Sequence, residues 1–252
     1  MTISRHIIYF GAALLGASTL AGAAIAETRS AAELQHSRVV DTLSVVELEQ
    51  RMANGDLHAQ AELGARYGRG DGVPANLTKS LELLRDAAEK KDPDAAFYLG
   101  LIHQTGIGVP KDEARAVLFY ETAADQGHPA AQYMLGKMIY QGEGGIQASW
   151  ESAFTYFWHA ADSGYPPAEL MLGYAYQMGY GTPRNPKAAA YWYRRNNSRG
   201  RNAVAEQNLI KLIANREILW EPGDPGAGGP PPLETIAVDA PPPPKSHKPK
   251  SK

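Results

Sequence analysis

The chain has 252 residues, enough for one or two domains, and 44% of them are hydrophobic, enough to build a packed core. Its formal charge of -2 leaves no basic excess with which to hold nucleic acid. It has no cysteine, which excludes a disulfide framework, thiolate metal sites, a cysteine nucleophile and a lipid carried on an N-terminal cysteine.

At the N-terminus, Arg5 and His6 precede residues 7–26, a run without charge that is rich in Ile, Leu, Ala and Gly. The run ends Ala24-Ile25-Ala26, the small-x-small pattern that signal peptidase cleaves. A signal peptide is therefore predicted over 1–26, with a mature chain starting at Glu27 in the periplasm or secreted from the cell. A retained anchor is the alternative, since such a run could just span a bilayer. The Gly, Ser and Thr content and the Ala-x-Ala end favour cleavage, and so no stable membrane anchor afterwards. Residues 27–43 read as a linker. Ser44-Val45-Val46-Glu47 is a capping box that opens a helix within 44–55, closed by Asn54-Gly55.

From there the chain repeats itself. Ala59, Ala95, Ala131 and Ala168 are each followed four residues later by Leu-Gly, and the glycines Gly64, Gly100, Gly136 and Gly173 are 36, 36 and 37 residues apart. A second pair follows each: Gly70 and Gly72, Gly106 and Gly108, Gly142 and Gly144, Gly179 and Gly181. Ala59, Leu63 and Tyr67 fall on one helical stripe, as do Ala168, Leu172 and Tyr176. A glycine inside that helix costs about 1 kcal/mol relative to alanine, tolerable where bare backbone lets a neighbour approach. The Gly-x-Gly then ends the helix. Asn76, Asp112, Ser149 and Asn185 follow as N-caps of a second helix, with Pro186 at the first helical position.

The second helices align too. Their inward pairs are Leu83-Leu84, Phe119-Tyr120, Tyr156-Phe157 and Trp192-Tyr193. The small pairs Ala87-Ala88, Ala123-Ala124 and Ala160-Ala161 follow, replaced in the fourth copy by Asn196-Asn197. Gly127, Gly164 and Gly200 close each unit, with Lys91 in that place in the first. The units run 56–91, 92–128, 129–164 and 165–200.

The Leu-Gly-x-x-Tyr frame resembles the tetratricopeptide repeat, whose period is 34 residues and which lacks the added Gly-x-Gly. The 36-residue period with that loop resembles the related Sel1-like repeat over residues 56–200. The resemblance implies an all-α fold, a right-handed α-solenoid of helix pairs whose first helices line a concave surface. It also implies an adaptor or regulator without a shared catalytic residue. Beyond the repeats, the segment around Ala205, with Ile210 in the place of the glycine, predicts a capping helix over 201–220 that continues toward Trp220. Ten of the eighteen prolines lie in the last 32 residues, and 221–252 read as a disordered spacer. Its lysines at 245, 248, 250 and 252 could touch an anionic cell-wall polymer weakly, although a solvated tail is the simpler reading.

Positions kept in every copy are most simply structural, and those that vary on one face are free to recognise something. Three before, one after and four after the Leu-Gly glycine lie on one stripe. It reads Ala61, Ala65 and Gly68; Phe97, Leu101 and Gln104; Tyr133, Lys137 and Tyr140; and Leu170, Tyr174 and Gln177. By tetratricopeptide geometry this stripe faces the groove, and its aromatics with interleaved hydrogen-bonding groups suit a protein or extended peptide partner. The alternative is that the rings pack between repeats. Trp158 is a second candidate, because its counterparts Arg85, Glu121 and Arg194 are charged and the position should be exposed.

The chain reads as a non-enzyme with no cofactor. No HExxH, GxSxG, SxxK or GxxxxGK[ST] motif is present. His58, His103, His128 and His159 come from different repeat positions and suggest no shared constellation, hence no metal site. His103 reads as an inter-helix core residue and His128 as a solvated turn residue. Two rivals to an exported scaffold remain: an inhibitor that holds the extracytoplasmic domain of a membrane sensor, and a cell-wall hydrolase. The resemblance ties the latter chiefly to cysteine-rich relatives.

Overall fold

A computed structural model describes residues 43–200 and 202–219. The expected signal peptide, nearly all of the linker and the proline-rich tail lie outside them. Ten α-helices and no strand are found among the described residues: α1 (Val45–Ala53), α2 (Leu57–Arg69), α3 (Leu77–Glu89), α4 (Pro93–Thr105), α5 (Glu113–Ala124), α6 (Pro129–Gln141), α7 (Trp150–Asp162), α8 (Pro166–Met178), α9 (Pro186–Asn197) and α10 (Ala203–Ala214). They form a solenoid of four pairs, α2/α3 to α8/α9, in which each helix packs on the next and α2 also meets α4.

Each boundary has a local cause. The side chains of Asn76, Asp112, Ser149 and Asn185 accept from the backbone N–H three residues on, capping the second helices. Gly70, Gly106, Gly142 and Gly179 end the first helices in the left-handed region, with φ of 73–79°. The second helices close by a Schellman turn: the N–H groups of Asp92, His128 and Tyr165 reach back to the carbonyls of Ala87, Ala123 and Ala160. In those turns Gly127 and Gly164 have φ of 78° and 83°, and Lys91 takes the same conformation at 68° without being glycine.

The packing explains both sets of glycines. Fully buried Leu84, Tyr120, Phe157 and Tyr193 each sit on the bare backbone of Gly64, Gly100, Gly136 and Gly173. A methyl group on Gly100 would lie 2.6 Å from the Tyr120 ring, and one on Gly136 2.9 Å from Phe157. The second loop glycine seats the next pair against the previous one. Gly108, Gly144 and Gly181 face Leu77, Glu113 and Trp150, the first residues of α3, α5 and α7. Gly72 faces Val45, the first residue of α1, so α1 stands to α2 as a second helix without a first.

Two departures, one in the fourth unit and one in the capping helix beyond it, have local causes of the same kind. Asn196 replaces alanine because its buried amide donates to the Pro166 carbonyl at 2.7 Å. α10 stops at Ala214 rather than continuing toward Trp220. Arg216 adopts φ 57°, and the Glu217 N–H bonds the Leu212 carbonyl, a Schellman turn that folds Ile218 back into the core.

Candidate binding face

The stripe on the first helices divides by position. Four residues after the glycine, the side chain answers whatever fills the hollow. Tyr120 and Tyr193 donate their hydroxyls to Oε1 of Gln104 (2.8 Å) and Gln177 (2.7 Å). Phe157 has no hydroxyl, and Tyr140 packs against it instead, ring centroids 6.1 Å apart. With the smaller Leu84, the position is Gly68, lying against Ser80. The variation that marked this position as free thus tracks an internal partner.

Three residues before the glycine, the ring reaches the N-cap residue of the next first helix. Phe97 stacks on His128 (4.6 Å, 22°), and Tyr133 tilts on Tyr165 (5.4 Å). Leu101 and Leu170 are half-buried against the same core, and Ala61 and Ala65 are buried. Lys137 is partly exposed, whereas Tyr174 is 38% exposed and Met178, one turn on, is 48% exposed.

Two residues outside the stripe complete this face. Tyr140 stacks on Trp150 (4.5 Å, 18°), Trp150 on Tyr180 (4.8 Å, 28°), and Tyr180 meets Tyr174 edge-on (5.8 Å). The four rings form a continuous ridge from α6 across the start of α7 to α8. Beside it an open cleft of about 540 Å³ is lined by Trp150, Glu151, Gly181 and Pro183 among others. Tyr180 is the middle residue of its Gly-x-Gly, where the other copies carry Asp71, Ile107 and Glu143. Trp150 occupies a first helical position shared with Leu77, Glu113 and Pro186. Comparing those two variable positions as well would have found both rings.

Trp158 departs from expectation. It is half-buried, its indole N–H is enclosed, and its ring meets His159 edge-on at 5.5 Å. At the equivalent positions Arg85 and Glu121 are exposed and Arg194 partly so. A long charged side chain can keep its tip in water while its stem lies along apolar surface, whereas a tryptophan has no charged tip to hold it out. The ring follows the stem and packs on the core.

Of the histidines, His103 lies in the core as expected, and His128 and His58 depart from expectation. His103 is buried and stacks on Phe119 (5.4 Å, 16°), and burial pushes its imidazole below the usual histidine range. His128 is no solvated turn residue. It is the N-cap of α6, its Nδ1 accepts the Ala131 N–H at 3.0 Å, and its Nε2 lies 3.1 Å from Asp94 Oδ1. His58 joins the same group from the opposite side. Its Nδ1 lies 2.9 Å from Asp92 Oδ2 and 2.8 Å from Asp94 Oδ2, so a constellation absent from the linear pattern exists in space. Hydrogen bonds to Asp92 and then Asp94 hold the imidazole protonated and raise its pKa to about 10 against the cost of burial. His58, Asp92 and Asp94 are the residues among those described whose donor atoms converge as metal ligands do.

Other buried acids are neutralised by guanidinium groups. Glu62 pairs with Arg66 at 2.7 Å and Arg69 at 3.5 Å, and its second oxygen accepts from the Tyr98 hydroxyl. Fully buried Glu169 lies 3.0 Å from Arg195 and 3.4 Å from Arg199. No helix among the described residues is long and apolar enough to cross a membrane.

The sequence pattern of the Sel1 repeat matches four consecutive segments, residues 57–92, 93–128, 129–165 and 166–195. Among solved structures, the chain is similar to a protective antigen present in uropathogenic Escherichia coli strains, which displays an SLR fold. The two share 32% identity with a TM-score of 0.63 over 69% of this chain and 37% of that one. It is also similar to a Sel1 repeat protein from Oxalobacter formigenes, with 34% identity and a TM-score of 0.60 over 67% and 48% of the respective chains. The chain thus spans less than half the length of either. No curated protein matched the sequence.

Proposed function

The chain belongs to the Sel1 repeat family, and from that premise we propose that it is an exported adaptor that binds a protein or extended peptide on its first-helix face. Sel1 repeats generally mediate protein–protein interaction. The observation that carries the placement is the aromatic ridge Tyr140–Trp150–Tyr180–Tyr174, which ends in the exposed pair Tyr174 and Met178 on α8. Rigid rings that lose little entropy on docking, next to a flexible thioether and the Lys137 amine, are the residue types that anchor partners.

Export rests on the charge-free run and Ala24-Ile25-Ala26. Both parts are tested in one experiment. A photo-reactive amino acid replaces Tyr174 in the full-length chain expressed in its native cell. Sequencing of the recovered adduct should give Glu27 as the first residue and one dominant protein joined to it. Equal capture from Leu118, which is exposed on the second helix α5, would remove the case for this face.

A further inference from the structure

We propose that the junction of the first and second repeats is a binding site for a divalent cation of the zinc class, with His58 Nδ1, Asp92 Oδ2 and Asp94 Oδ2 as ligands. The three donor atoms lie within 4.8 Å of one another, and both carboxylate oxygens are turned onto the same nitrogen. One imidazole nitrogen and two carboxylate oxygens make a donor set suited to Zn²⁺ and its first-row neighbours. Three protein ligands also leave a coordination position for water.

What the other oxygens do separates this cluster from a casual ion pair. Asp92 Oδ1 is occupied by the Ala95 N–H at 2.8 Å, as the cap of α4, which leaves Oδ2 aimed at His58. Asp94 Oδ1 is held by His128 Nε2 at 3.1 Å. The tautomer there follows from the partner nitrogen: Nδ1 accepts from Ala131, so the proton sits on Nε2 and is donated to Asp94. His128 is itself clamped by its stack on Phe97. Outer groups that fix each ligand's orientation are what metal sites require of their surroundings.

Charge points the same way. Glu62 and Glu169 each meet two guanidinium groups. Asp92 and Asp94, with side chains 2% and 17% exposed, meet imidazoles instead: both face His58, and Asp94 also meets His128. A doubly charged ion in place of the His58 proton would match the two carboxylate oxygens turned onto that nitrogen. The dipole at the start of α4 is already answered by the Asp92 cap. His58 lies on α2 and the aspartates on and just before α4, so the ion ties two repeats together away from the aromatic ridge.

The test is calorimetric titration of zinc chloride into the full mature chain, stripped with a chelator, near pH 7.5. One ion per chain is expected, with a rise in melting temperature. His58→Ala and Asp94→Asn should each weaken uptake at least tenfold, and His159→Ala should not. Cobalt in place of zinc should give a visible absorption band in the unaltered chain that is lost in His58→Ala, a readout that does not depend on Asp94→Asn folding. Absence of stoichiometric uptake, or uptake that survives both substitutions, overturns the assignment.

Discussion

The Tyr120 hydroxyl donates to Gln104 Oε1 at 2.8 Å, from the second helix of a pair back to the first, and Tyr193 repeats the bond to Gln177 at 2.7 Å. In each pair the ring covers a glycine and the glutamine receives the one polar atom that the ring carries inward. Tyr120→Phe should cost about 0.5–1.5 kcal/mol in chemical denaturation, the net worth of a hydrogen bond whose partner, partly exposed Gln104, can turn to water. Gln104→Ala in that background should add less than it does alone. Additive costs would mean the two side chains are not coupled.

The glycine beneath the ring is tested separately. Gly100→Ala should destabilise the chain by about 1–3 kcal/mol, although alanine is the better helix former, because its methyl would sit 2.6 Å from the Tyr120 ring. A double variant with Tyr120→Leu should recover part of the loss. In the first repeat a methyl on Gly64 would lie 2.9 Å from Leu84, against 2.6 Å beneath Tyr120, so a leucine relieves the contact only in part.

Lys91 is the converse case. It occupies φ 68°, where its counterparts are Gly127 and Gly164. Lys91→Gly should raise stability by up to about 1 kcal/mol, the relief of left-handed strain less the added freedom of the unfolded chain. Gly127→Ala should lower it by a similar amount. Thermal melting of the two variants decides the signs.

These features differ in how far a linear reading reaches them. The Leu-Gly glycines, the Gly-x-Gly caps and the Asn76, Asp112, Ser149 and Asn185 caps are legible because each answers a local backbone need with a residue type selected for it. The turn at Arg216 has the same geometry but no glycine to announce it, so α10 read as longer than it is. His128 caps with an imidazole, outside the usual cap residues, and read as a solvated turn. The His58–Asp92–Asp94 group joins residues that only the stacking of repeats brings together. The glutamines of the stripe vary from copy to copy, which at a single position is indistinguishable from freedom. The internal pairing is legible only in the joint variation of Gln104 with Tyr120, Tyr140 with Phe157 and Gln177 with Tyr193.

His58 gives the expected pH dependence. Its pKa is raised from the ordinary histidine value of about 6.5 to about 10 by the two aspartates. Its contribution is therefore fully present below about pH 6.5 and is lost as pH rises toward 10. In the presence of a chelator, the melting temperature should fall over that interval, and the fall should be shallower in His58→Gln. Identical slopes would show that the imidazole is not held protonated in the fold.

The role of the first-helix face is tested most directly by a variant with both Tyr174→Ala and Met178→Ala, whose side chains are largely exposed and whose loss should leave helicity unchanged and lower melting only slightly, through the Tyr180 contact. Binding is measured against the protein captured at Tyr174, by titration with the purified partner. At least a tenfold loss of affinity is expected, with none for Leu118→Ala. Unchanged affinity in the double variant, with the fold intact, would contradict a binding role for this face.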